Sequence, residues 1–282
     1  MNDSLPSLTL PAGKIGPFAL GGREGKFVLV AGPCVIESLD HCAKIAEFAK
    51  GVCGKLGINF IFKASFDKAN RSSLDSYRGP GMEKGLEILA EIKKRLNVPV
   101  LSDIHLPDQA DPAARVLDVI QIPAFLARQT DLLAAAAKTG RTVNVKKAQF
   151  MAGWEMENVV EKLKAGGARE IVLTERGNFF GYNRWIADVR NIEWMHQLGV
   201  PVLMDATHSA AEPGGAGKSS GGDRAMGPLL ARAGVAAGAD GLFLEIHDHP
   251  EKALSDKATV LPVTWLERLL TQCLDIFHAV RI

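Results

Sequence analysis

The run FVLVA at residues 27–31, followed at once by Gly32, Pro33 and Cys34, decides how the rest of this chain is read. Its five apolar residues have no polar alternates, the pattern of a parallel strand covered on both faces, and it stops at a glycine–proline turn. Seven more short β-rich runs follow: INFIFK at 58–63, VPVLS at 98–102, DVIQ at 118–121, TVNVK at 142–146, EIVLT at 170–174, VPVLMD at 200–205 and GLFLE at 241–245. Their starts lie 20 to 41 residues apart, around the ~30 of a strand–helix–strand unit. Helical periods fill the gaps. Met82, Leu86, Leu89, Ile92 and Leu96 share one face, as do Met156, Val159, Val160 and Leu163, and a last amphipathic stretch carries Trp265, Leu266, Leu269, Leu270, Cys273, Ile276 and Phe277.

Eight such units predict an α/β fold of the closed (β/α)₈ TIM-barrel type rather than an open doubly wound sheet, because the glycine fingerprint of a dinucleotide fold is missing after the first run. Residues 1–26, rich in Gly and Pro, fall outside the repeat and are expected to form an extension, a hairpin capping the barrel bottom. Residues 27–282 then make a single catalytic barrel, with no linker or second domain.

The 282 residues carry 33 Lys+Arg against 32 Asp+Glu, a net charge of +1. That balance argues against nucleic acid as a partner, since neutralising phosphates needs an excess of cations. The longest apolar stretch, at 27–36, is broken by Gly and Pro and falls short of the ~18 residues of a membrane span. The start, MNDSLPSLTLPAGK, lacks the basic segment and apolar core of a secretory signal. Cys34, Cys42, Cys53 and Cys273 form no CxxC pair and read as reduced thiols. A cytoplasmic protein without a membrane partner is expected.

Barrel enzymes carry their chemistry at the C-terminal strand ends. Here those ends hold Cys34, Lys63, Asp103 and His105, Lys146 and Lys147, Glu175 and Arg176, Asp205 and His208, and Glu245 followed by His247 and His249. Closure makes the seventh, eighth and first strands neighbours, so Cys34, His208 and Glu245 converge, and Asp256 in the loop beyond could join them. One thiolate, one imidazole and two carboxylates suit one divalent ion such as Zn²⁺, Fe²⁺ or Mn²⁺. A cysteine at a strand end is as readily a small buried hydrophobe, and a lone histidine as readily structural. Lys63, Arg71, Lys146 and Arg176 could line a pocket for an anionic substrate, or simply snorkel to solvent.

Two loops stand out. Residues 209–223 contain no large apolar side chain and could serve as a lid. The same stretch imitates a phosphate-binding loop, but Glu212 occupies the place of the required first glycine, so the ATPase reading fails. Residues 64–81 are dense in hydroxyls and cations, which fits either a sugar-phosphate grip or a solvated loop.

The string KASFDKANRSS at 63–73, with AGPC at 31–34, IPAFLARQTDLL at 122–133, NVKK at 144–147, DATHS at 205–209 and EKALSD at 251–256, closely resembles the 3-deoxy-D-manno-octulosonate 8-phosphate synthases. The resemblance runs from about residue 27 onward. It implies condensation of phosphoenolpyruvate with D-arabinose 5-phosphate and water, for the lipopolysaccharide core, by a homotetramer. It places Lys63, Lys68, Lys146 and Arg176 around phosphoenolpyruvate and Asn70, Arg71 and Ser72 on arabinose 5-phosphate. Ala124 joins the substrate site, and Arg128 reaches the acceptor's phosphate from a neighbouring subunit. Lys63, Lys146, His208 and Asp256 are the catalytic set it implies. Cys34, where another branch of the family has Asn, implies a metal-dependent member with Cys34, His208, Glu245 and Asp256 as ligands and no organic cofactor. The related 3-deoxy-D-arabino-heptulosonate 7-phosphate synthases carry Lys-Pro-Arg-Thr where this chain has KANRSS; they are the enzymatic runner-up. A sugar-phosphate-binding barrel without catalysis is the reading from another class.

Overall fold

The computed structural model describes residues 7–70, 76–216 and 219–281. The chain enters through a hairpin of β1 (Ala12–Ile15) and β2 (Phe18–Gly21), turned at Gly16 in the left-handed region (φ 56°). The strands that follow are β3 (Val28–Gly32), β4 (Asn59–Lys63), β5 (Val100–Asp103), β6 (Val119–Ile122), β7 (Thr142–Lys146) and β8 (Ile171–Glu175). A short hairpin, β9 (Asn178–Gly181) and β10 (Arg184–Ile186), precedes β11 (Val202–Asp205). A second hairpin, β12 (Ala211–Ala216) and β13 (Ser219–Gly222), precedes β14 (Gly241–His247), and the two-residue β15 (Leu261–Pro262) pairs beside β14.

Strands β3 to β8, β11 and β14 pair in parallel in chain order, and the β14–β3 pairing closes the ring into an eight-stranded barrel. All eight runs expected as strands are strands, to within two residues at either end. Around them pack α1 (Leu39–Leu56), α2 (Met82–Leu96), α3 (Ala110–Ala114), α4 (Thr130–Lys138), α5 (Glu157–Ala165), α6 (Arg190–His196), α7 (Gly227–Ala236) and α8 (Leu266–Ala279). Local chemistry sets the limits of the longest helix. The Ser38 side chain accepts from the His41 N–H at the start of α1, and Gly57 (φ 70°) stops it in the left-handed conformation that only glycine adopts without strain.

Two apolar clusters divide the interior. The larger lies between barrel and helices, where outward-facing strand residues such as Leu29, Phe60, Phe62 and Leu244 meet Ile45, Leu89, Leu133 and Leu270. The smaller lies inside the barrel: Val28, Val30, Ile61, Leu101, Val119, Val172, Leu203 and Phe243, joined by Ile15 and Leu20 of the hairpin. The hairpin thus plugs the end where the strands begin, as expected. The Gly16 N–H donates to Thr142 Oγ1 and the Lys14 N–H to Glu170 Oε2, both at strand starts. The stretch 209–223, read as a loop, is instead largely drawn into the β12–β13 ladder, with Ala211 opposite Gly222; residues 217 and 218 lie outside the described residues. Among the described residues no helix is long and apolar enough to cross a membrane.

Candidate active site

Strand side chains alternate, so the residue two places beyond an inward apolar group also points inward. In β4, Ile61 is followed by Lys63; in β5, Leu101 by Asp103; in β6, Val119 by Gln121. In β11, Leu203 is followed by Asp205, and in β14, Phe243 by Glu245. All these polar groups are buried. The same alternation sends Lys146 inward and Lys147 outward. Lys147 Nζ is held on the helix side by the Ala148, Met151 and Gly177 carbonyls and Asn178 Oδ1, 3.6 Å from Glu175. At the end of β3 the inward position is Gly32, where a Cβ would lie 2.0 Å from the Lys63 carbonyl oxygen. Only glycine lets β3 and β4 run this close beneath Lys63.

Across the closed seam, the donor atoms of Cys34, Glu245 and Asp256 lie within 4.8 Å of one another. Cys34 Sγ is 2.9 Å from Asp256 Oδ2, and His208 Nε2 stands 3.6 Å from Glu245 Oε1 and 3.9 Å from Asp256 Oδ2. Asp205 orients the imidazole: its Oδ2 takes His208 Nδ1 at 2.7 Å, while Oδ1 accepts the His208 and Thr207 N–H groups. With Nδ1 carrying the hydrogen, the Nε2 lone pair faces the two carboxylates, the arrangement of a metal-ligating histidine backed by a carboxylate.

The donors fit a divalent cation. Glu245 Oε2 is buried with no hydrogen-bond partner among the described residues. Burial first, then Asp256 and Glu245, push the Cys34 thiol well above its ordinary range. A cation in the thiol proton's place would relieve both. This buried Cys, His and carboxylate group is a candidate metal-chelating cluster.

Beside it lies a cavity lined by four cations, Lys63, Lys68, Lys146 and Arg176, and two carboxylates, Asp103 and Glu245. Lys63 Nζ donates to Glu245 Oε1 (2.9 Å) and the Cys34 carbonyl (3.0 Å). Burial presses the Lys63 ammonium down, but Glu245, with Cys34 and Asp103 behind it, raises it above its ordinary value, so it stays charged. In return Glu245 is held well below the usual carboxylate range against burial, by Lys63 first and then His208. Lys146 Nζ donates to Asp205 Oδ2 at 2.6 Å and rests 3.6 Å above the Phe243 ring. Here burial wins, and the Lys146 ammonium is lowered from its ordinary value despite Asp205. Asp103, opposed by burial, is held well below its range by His105 at 3.1 Å. Arg176 lies 5.4 Å from the Trp185 ring, and its Nη1 is buried without a partner among the described residues. A buried guanidinium with a free donor, in a cavity with excess positive charge, is built for an anion.

Of the residues singled out in the sequence, Lys63, Lys68, Asn70, Ala124, Lys146, Arg176, His208 and Glu245 line this cavity. Cys34 and Asp256 adjoin it through Glu245. Arg128 does not line it and is exposed. Arg71 and Ser72 lie outside the described residues. Sequence reading assigned no role to Gln121, Gln149 or Asp205. Gln149 is buried at the cavity wall with neither amide atom partnered among the described residues. Asp205 was read at a strand end without a role, and strand alternation could also have flagged Gln121, which sits two places beyond an inward apolar residue; Gln149, in the loop after β7, offers no such signal.

The DAHP synthetase I family model matches residues 14–280. A 2-dehydro-3-deoxyphosphooctonate aldolase of a Cyanothece species is 56% identical over 255 residues, covering 90% of this chain and 93% of the relative. Proteins of the same name from Desulfatibacillum aliphaticivorans (54% over 258 residues; 92% and 94%) and Protochlamydia amoebophila (50% over 264 residues; 94% and 96%) match over a similar extent.

Proposed function

The chain belongs to the DAHP synthetase I family, and from that membership we propose how its cavity carries out the octulosonate reaction. The protein is an enzyme that condenses phosphoenolpyruvate with D-arabinose 5-phosphate and water, giving 3-deoxy-D-manno-octulosonate 8-phosphate and inorganic phosphate. The observation that best supports the site assignment is the buried cation cluster, ending in the unpartnered Arg176 Nη1, set against the Cys34–Glu245–Asp256 donors.

In this reading Lys63, Lys68, Lys146 and Arg176 receive the phosphate and carboxylate of phosphoenolpyruvate. Their fixed charges need no reorganisation as the methylene carbon attacks the acceptor's aldehyde carbon and water adds at the phosphate-bearing carbon. Collapse of the resulting tetrahedral intermediate expels phosphate. Lys146, with its proton loosened by burial, is the group best suited to hand a proton from Nζ, while Asp205 fixes both it and His208. Asn70, with Arg71 and Ser72, grips arabinose 5-phosphate, and Ala124 completes the wall. Cys34, His208, Glu245 and Asp256 hold one divalent ion such as Zn²⁺, Fe²⁺ or Mn²⁺. Bound there, such an ion supplies Lewis acidity, either toward the aldehyde oxygen or toward a water. No organic cofactor is invoked.

The exposed Arg128 serves a neighbouring subunit's cavity in a cytoplasmic homotetramer that feeds the lipopolysaccharide core. Support for self-association comes from the apolar tip of the β9–β10 hairpin, where Phe180 is 94% and Tyr182 100% exposed. Residues 1–26 act as the plug of one catalytic barrel, 27–282.

The test is phosphate release from phosphoenolpyruvate and arabinose 5-phosphate by chelator-stripped protein, with and without added divalent ion. Activity that is lost on stripping and restored by metal supports the whole scheme. Equal activity without metal removes the ion from it. The description of the family model favours one rival, heptulosonate synthesis; turnover with erythrose 4-phosphate in preference to arabinose 5-phosphate would establish that rival.

A further inference from the structure

Three of the four segments that carry the candidate metal ligands are the turn after β3 with Cys34, the end of β14 with Glu245, and the loop beyond it with Asp256; the fourth holds His208 after β11. One side chain touches the first three. Glu37, three places after Cys34, has an Oε1 that accepts the Leu254 N–H at 2.9 Å and meets His247 Nε2 at 3.3 Å. Leu254 is two places before Asp256, and His247 two places after Glu245. We propose that Glu37 is a positioning residue for the metal site, tying the Cys34, Glu245 and Asp256 segments into one rigid frame; the inference rests on the metal reading above.

The geometry gives Glu37 this role and argues against its being a ligand. The His249 N–H donates to His247 Nδ1 at 2.8 Å, an assignment that puts the ring hydrogen on Nε2, facing Glu37; Asp248 Oδ1 also stands 3.1 Å from Nδ1. Nε2 then offers no lone pair to a cation. His41 packs on the His247 ring at 4.4 Å between centroids and meets Asp248 at 3.1 Å, and Asp248 is also held by Lys44 at 2.7 Å. The group is therefore a buttress around His247.

What needs buttressing is the Asp256 turn. Asp256 has φ 50°, in the left-handed region that residues other than glycine uncommonly adopt. On its far side its carbonyl accepts the Thr259 and Val260 N–H groups, both at 3.0 Å. On its near side the Leu254–Glu37 hydrogen bond is the anchor. Without it the turn is free to relax, taking Asp256 Oδ2 away from Cys34 and Glu245. Outer-shell partners of metal ligands typically alter affinity about 10–100-fold.

The test is cobalt(II) titration of the full-length protein, reading affinity against a competing chromophoric chelator and the thiolate-to-cobalt absorption band that reports Cys34. Glu37→Ala is expected to weaken cobalt binding about 10–100-fold and to change the band, with metal-free melting close to that of the wild type. Glu37→Gln, which keeps an accepting oxygen, should recover most of the affinity. Leu254→Pro removes the donor from the other side. Its side chain is largely exposed, and Ala253 (φ −52°, ψ 137°) already has the extended backbone needed before proline. It should reproduce the loss even where Glu37→Ala folds poorly.

Cobalt affinity unchanged in both Glu37→Ala and Leu254→Pro overturns the proposal. So does equal loss in Glu37→Ala and Glu37→Gln, which would mark a charge effect, or a second cobalt equivalent that vanishes with Glu37, which would make it a ligand. A wild-type protein that shows no thiolate band, and binds no more tightly than Cys34→Ala, fails differently. That result removes the metal reading itself and this inference with it.

Discussion

The two ends of the barrel interior are built on the same eight strands with the same alternation, yet they hold opposite contents. Where the strands begin, Val28, Val30, Ile61, Leu101, Val119, Val172, Leu203 and Phe243 pack around Ile15 and Leu20 of the hairpin. One alternation step further on, the inward positions are Lys63, Asp103, Gln121, Lys146, Asp205 and Glu245. The lower layer gains stability from apolar burial. The upper layer confines charges that solvent would otherwise stabilise, and each survives only through a partner: Lys63 with Glu245, Lys146 with Asp205, Asp103 with His105. A step of two residues along one strand separates the part that holds the fold from the part proposed to carry the chemistry.

Substitutions in the two layers should therefore separate rate from stability. Lys146→Met is expected to lower kcat on the order of 10³-fold while the circular dichroism spectrum stays that of the folded protein; near-normal turnover would remove Lys146 from its role. Leu20→Ala, in the lower layer, should cost about 2–5 kcal/mol of unfolding free energy and leave kcat/KM unchanged at temperatures where the protein stays folded. A matching loss of activity would mean that the layers are not independent.

Acid sharpens the contrast. Asp103, Asp205 and Glu245 are all held below their ordinary range in the folded state, so the unfolded chain binds more protons. Their stabilisation is fully present above the ordinary carboxylate pKa of about 4 and is lost as pH falls below it toward the folded values. Asp205→Asn should flatten the fall in unfolding free energy between pH 5 and 3 by about 1 kcal/mol, whereas Leu20→Ala lowers the curve without reshaping it. An unchanged slope in Asp205→Asn would contradict the assignment. The last effect concerns the thiol. Because Cys34 is raised, a cation displaces its proton, and metal affinity should climb about tenfold per pH unit between pH 6 and 8. A flat profile by chelator competition would mean that the sulfur is not a ligand.

Which of these layers could be read in advance follows from the range of the interactions involved. The strands were legible because each is a local run of apolar residues bounded by polar or turn residues, and the hairpin because its Gly and Pro break the repeat. Cys34, His208 and Glu245 could be brought together from closure alone, since the ring makes β3 neighbour β14. Strand alternation separates Lys146 from Lys147, but nothing local shows that Lys147 is satisfied by four oxygens on the outer face. Gln149 reaches the cavity from a loop whose path depends on everything packed beneath it. The Glu37–Leu254 bond spans 217 residues and leaves no trace in either segment. Periodic and topological information is written along the chain, whereas the side-chain partners that orient a site are written only in its folding.

The hairpin at the strand starts has a consequence for traffic. With Ile15 and Leu20 sealing one end, the barrel is a vessel with a single mouth, and everything that enters must leave by the way it came. Eight residues of β-ribbon and the apolar layer above them thus leave the strand-end mouth as the face from which the cavity is reached.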